Sequence, residues 1–149
     1  MAMRRNPLPK VLNSTVEFIL NRDLQALLEQ EDVNIAELER QVQEAAKWSI
    51  ELDRAGLSII ARNSVSRQMK RLREAPLDFS LWEMLEKMIM NLNKLKMDMG
   101  LWETQNIYFG IGREFYQPMQ EKAGRGDAEA GQWVEIFNRF GGDLGVKFG

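Results

Sequence analysis

The chain has 149 residues, 44% of them hydrophobic, with 20 lysines and arginines against 22 aspartates and glutamates, and it contains neither cysteine nor histidine. That length suits one domain that can bury a core without a disulfide or metal staple. The missing residue types exclude disulfides, thiol nucleophiles, zinc-thiolate sites, Ser-His-Asp triads and imidazole metal sites.

A formal charge of −2 supplies no general attraction to nucleic acid or anionic lipid, so neither partner is expected. No apolar run approaches the ~20 residues of a membrane span, and the N-terminus lacks the apolar stretch of a secretory signal. The absence of cysteine fits a reducing, cytoplasmic setting. No cofactor is implied.

Residues 1–11, with Pro7 and Pro9, read as a lead-in, because proline disfavours helix in the residue before it. A first helix is expected from about Leu12 to Gln30, where Leu12, Val16, Ile19, Leu20, Leu24, Leu27 and Leu28 recur at three- and four-residue steps. Asn21, Arg22 and Asp23 fall on its flank and read as a solvated face. Asn34 with Glu37 has the form of a capping box opening a second helix, whose apolar face runs through Leu38, Val42 and Ala45 to Leu52.

Near Gly56 the pattern predicts a bend rather than a break, leading into a helical stretch from Leu57 to Glu74. Its outer side carries Arg62, Arg67, Lys70, Arg71 and Arg73, which read as a solvated or glutamate-paired stripe rather than a nucleic-acid surface. Ala75-Pro76 ends it. Ser80 and Glu83 form a second capping-box pattern, and a fourth helix is expected to run to about Lys96 with methionines in its apolar stripe.

The stretch from Gly100 to Tyr116 holds five of the chain's aromatics and is the expected centre of the fold. At helical spacing Trp102, Phe109 and Tyr116 share one side, and Leu101, Tyr108 and Phe115 the adjoining one. Gln105 and Asn106 sit within that stripe. Such amides usually tie down a neighbouring helix end or loop, but beside Trp and Tyr they also make a surface able to stack on and hydrogen-bond a sugar.

Gly110 and Gly112 fall inside this fifth helix, expected to reach about Gln117, and call for a close helix approach or a bend, because each costs roughly 1 kcal/mol in a helix interior. Asp127 should cap a last helix from Ala128 to Phe140, and residues 141–149 read as a glycine-rich flexible tail. The whole is an all-α, up-and-down bundle of five to six helices, with residues 12–140 as its single domain.

Three strings, VEFILNRDLQALLEQ (Val16 to Gln30), AAKWSIELDRAGLS (Ala45 to Ser58) and GLWETQNIYF (Gly100 to Phe109), resemble the helical C-terminal domain that follows the catalytic barrel in proteins related to glycoside hydrolase family 57. The resemblance implies an accessory module beside an α-glucan-active barrel, with the catalytic carboxylates on that barrel and none in this chain. It carries Trp102, Gln105, Asn106 and Tyr108 over as ligand-binding candidates.

Carboxylate pairs such as Glu83 with Glu86, Glu114 with Asp98, and Glu51 with Asp53 do not make a glycosidase by themselves, which needs two carboxyls facing each other across a bound sugar. No metal ligand set is evident. The alternative to an accessory module packed on a barrel domain or touching α-glucan is a free-standing interaction protein that self-associates through aromatic and methionine surfaces.

Overall fold

The computed structural model describes the backbone of residues 10–148 and the side chains of residues 14–148; most of the N-terminal lead-in lies outside it. Among the described residues the protein is an all-α helical bundle without strands. Its helices are α1 (Lys10–Leu28), α2 (Ile35–Lys47), α3 (Arg54–Glu74), α4 (Phe79–Lys94), α5 (Trp102–Gly124) and α6 (Ala128–Asp143). No described helix is long and apolar enough to cross a membrane.

The chain divides into two compact units. One runs through Ser64 and takes in Asn91–Met99; the other consists of Val65–Met90 and the chain from Gly100 onward, so that α3 and α4 contribute to both.

In the first unit α1 packs on α2. Leu20, Leu24, Leu27 and Leu28 of α1 are buried, as are Leu38, Val42 and Ala45 of α2. Asn34 caps α2 by accepting from the Glu37 N–H at 3.1 Å. The Glu37 carboxylate is engaged by Arg40 and Gln41 instead of closing the box.

The expected bend at Gly56 is a break, with residues 48–53 between α2 and α3. Ser49, at φ +52°, ends α2, and the Ile50 N–H returns to the Ala45 carbonyl at 3.1 Å while Ile50 is buried. The extended piece that follows is held by α1, where Glu17 accepts from the Glu51 N–H at 3.0 Å and Asn21 from the Asp53 N–H at 2.7 Å. Asp53 in turn caps α3 through the Gly56 N–H at 3.1 Å. A Cβ on Gly56 would meet that carboxylate and push it from its capping position.

In the second unit α5 and α6 form a helical hairpin around an aromatic core. Trp82, Tyr108, Trp133, Phe137 and Phe140 are almost fully buried. Phe137 stacks between Tyr108, at 4.2 Å and 10°, and Trp133, at 5.0 Å and 8°, while Trp82 meets Trp133, Phe137 and Phe140 edge-on. Both buried indoles need an acceptor, and the Pro76 carbonyl serves both, at 2.8 Å from Trp82 and 2.7 Å from Trp133.

Several expected boundaries shift. The first turn of α4 is capped by Asp78, which accepts from the Leu81 N–H at 3.1 Å, not by Ser80. α4 stops at Lys94 because Lys96 adopts φ +57°. α5 continues through Pro118, whose ring lies on the exposed side, while Met119 beyond it is buried. The tail expected from Gly141 is helical through Asp143, and Phe148 beyond it packs at 5.2 Å from Tyr116 and 5.5 Å from Phe137. Gly112 admits this packing, since a Cβ there would stand 2.8 Å from the Phe137 ring and 2.5 Å from that of Phe148.

Candidate ligand surface on helix α5

Helix α5 presents two different faces, and the four sequence candidates divide between them. Tyr108 is on the inner face, 1% exposed, with its hydroxyl donating to the Phe137 carbonyl at 2.8 Å. Burial pushes the Tyr108 phenol above its ordinary value near 10, and the neighbouring Tyr116 adds to the shift. Gln105 is half-buried and its amide donates to the Leu144 carbonyl at 3.0 Å, tying α5 to the end of α6. These two side chains are part of the packing.

Trp102 and Asn106 lie one turn apart on the outer face. Trp102 is 74% exposed, the most open of the large hydrophobic side chains described. Asn106 is exposed on the lining of an open groove of about 580 Å³, together with Lys70, Arg73 and Glu74 of α3 and Glu103, Ile107 and Arg113 of α5. Seven residues separate Asn106 from Arg113, so both fall on one line down the helix.

The basic stripe of α3 takes several roles. Lys70 bridges to Glu103 at 3.2 Å, an exposed pair worth little by itself that places a cation and a carboxylate on the lining of the groove. Arg71 donates to Gln68 at 2.7 Å. Arg73 lays its guanidinium over Gly110, 3.6 Å from where a Cβ would be, an ordinary contact distance, so neither a close helix approach nor the arginine requires a glycine there. Arg62 belongs to the other unit, in a shallow hollow with Arg54, Ser58, Ile59, Lys96 and Asp98.

The groove therefore offers donors from Lys70, Arg73 and Arg113, an amide from Asn106 and two carboxylates, with an open indole one turn from Asn106 on the same helix. Groups of these kinds are chemically able to hydrogen-bond and stack on a hydroxyl-rich or amphipathic ligand.

Three of the carboxylates named from the sequence have structural partners. Glu83 bonds Lys87 at 3.1 Å, Glu86 bonds Arg139 at 2.7 Å, and Asp53 caps α3. Among the described residues no three carboxylates gather as a metal site.

Sequence reasoning missed Arg73 and Arg113 as groove residues. For Arg113 a signal was available, since it repeats Asn106 at two turns; Arg73 reaches the groove from another helix. Also missed was a second hollow on the α6 side of α5, lined by Tyr116, Gln120, Asn138 and Phe148, because Phe148 joins it from the far end of the chain. No protein-family profile, curated protein or solved structure matches the chain.

Proposed function

We propose that this chain is a non-catalytic helical accessory module that contacts α-glucan, or the catalytic barrel working on it, through the outer face of α5. The observation that carries the reading is Trp102, an indole left 74% exposed at the start of a helix whose neighbouring tryptophans, Trp82 and Trp133, are buried and hydrogen-bonded. An exposed indole offers an amphipathic face for stacking, and Asn106 and the arginines of the groove supply the polar partners a sugar ring needs. The three-string resemblance to the domain following family 57 barrels supports the same class of ligand.

Tryptophan emission titrated with maltotriose tests it. The expected result is a saturable change in the millimolar range that Trp102→Ala removes; a flat titration in the unmodified protein rejects the glucan contact.

A second reading, self-association, is favoured by a different observation: α1 exposes Phe18 at 67% and Ile19 at 42% in the first unit. Light scattering separates the two, since a dimer dispersed by Phe18→Ser would place the interaction on α1 instead.

A further inference from the structure

We infer that the hollow between α5, α6 and the C-terminal segment is a second sugar-binding site, made for a neutral pyranose. Its cavity of about 650 Å³ is lined by Tyr108, Tyr116 and Gln120 of α5, Asn138 and Gly142 of α6, and Val146, Lys147 and Phe148. That volume lies within the roughly 300–1,000 Å³ typical of small-ligand sites. The inference rests on the reading that this chain contacts carbohydrate, and it assigns that chemistry to a place distinct from the Trp102 face.

Two features carry it. The first is the wall. Tyr116 and Phe148 stand 5.2 Å apart with their planes at 56°, both half-buried, so each leaves part of its ring to the cavity. The second ring is there by construction, because Phe148 seats against Gly112, where any Cβ would intrude on it. Aromatic faces of this kind receive the apolar C–H side of a sugar ring.

The other feature is the polar set. Asn138 donates to the Tyr116 hydroxyl at 3.4 Å, a long and exposed contact that a ligand hydroxyl could replace, and Gln120 presents an exposed carboxamide on the same lining. The lining contains two amides, two phenols, of which Tyr108 is already bonded to the Phe137 carbonyl, and one ammonium, but no carboxylate. Amides and hydroxyls both donate and accept, as sugar hydroxyls do, which suits an uncharged polyol better than an anion or a cation. Gly142 leaves the space open: a Cβ there meets nothing within 4 Å.

The test is a maltotriose titration followed by ¹H–¹⁵N spectra of the full chain. Saturable shifts are expected at the side-chain amides of Asn138 and Gln120 and the backbone of Val146 and Lys147. Gly142→Leu should abolish those shifts while leaving the fold intact, since its side chain enters open space and leucine favours helix. Asn138→Ala should weaken binding about tenfold, the effect of one lost hydrogen bond, and Trp102→Ala should leave the crevice shifts in place. Shifts confined to Trp102 and Asn106 would overturn the second site and keep the first. No shift anywhere would overturn both, and unchanged binding in Gly142→Leu would overturn the crevice alone.

Discussion

Tyr108 shows how much of this structure is settled by single contacts. Its ring stacks on Phe137, its hydroxyl donates to the Phe137 carbonyl, and it leans on Gly141, where a Cβ would collide with the phenol oxygen. Tyr108→Phe keeps the stack and removes one buried hydrogen bond, so unfolding by urea should show a loss of about 1 kcal/mol. Gly112→Ala is expected to cost more, about 1–3 kcal/mol, because the new methyl meets the ring of Phe148 and that of Phe137, which is fully buried and has little room to retreat. Trp102→Ala, by contrast, removes an exposed indole and should leave the unfolding midpoint nearly unchanged. That contrast separates the inner face of α5 from the outer one.

At the scale of elements, helix termination decided what was legible in the sequence. Four helices end on a left-handed residue that lets the next N–H turn back on the helix: α2 at Ser49, α4 at Lys96, α5 at Gly126 and α6 at Gly145. The loop at Gly126 was readable. At Ser49 and Lys96 residues that ordinarily avoid positive φ do the same work, so the expected helices ran on to Leu52 and about Lys96. The left-handed conformation costs an L-residue roughly 1–2 kcal/mol. Gly126→Ala, where a Cβ has open space at φ +91°, should therefore destabilise by about that amount. Lys96→Gly should stabilise, by less than about 1 kcal/mol, since glycine also loses more entropy on folding. Thermal unfolding of the two variants checks the pair of signs. Asp127→Ala should cost about 1 kcal/mol by removing the cap on the Ala130 N–H at 3.1 Å.

The helical periodicities were clear because the buried leucines of α1 and the α5 aromatics repeat within one element. The Asn21 and Glu17 contacts that hold residues 51–53, and the seat of Phe148 on Gly112, join positions more than thirty residues apart, and no local pattern encodes them. For the ligand surface the sequence singled out Trp102 and Asn106, which are on the outer face. It also singled out Gln105 and Tyr108, which packing and hydrogen bonds occupy.

For the whole molecule, two carboxylates give stability opposite pH dependences. Hydrogen bonds from Arg40 and then Gln41 hold the Glu37 carboxyl down at about 2 from its ordinary 4.5, so its contribution is present above pH 4.5 and is lost as pH falls toward 2. Desolvation, with the adjacent Glu86 carboxyl, raises Asp143 above its ordinary 3.8. The folded protein then holds that proton more tightly than the unfolded chain, so the associated stability is complete below pH 3.8 and disappears as pH rises through the folded value. Denaturation midpoints across pH 2 to 7 should show both slopes, with Asp143→Asn flattening only the upper one and Glu37→Gln only the lower.

The proposed function assigns glucan contact to the open indole of Trp102 on the outer face of α5. Saturation-transfer difference spectra of maltoheptaose mixed with the protein address that reading directly. Transfer to the sugar ring protons that drops sharply in Trp102→Ala, while the variant remains as stable as the parent, is the result expected. Transfer of equal strength from both proteins, or none from the parent, would contradict the assignment of Trp102 as the glucan contact.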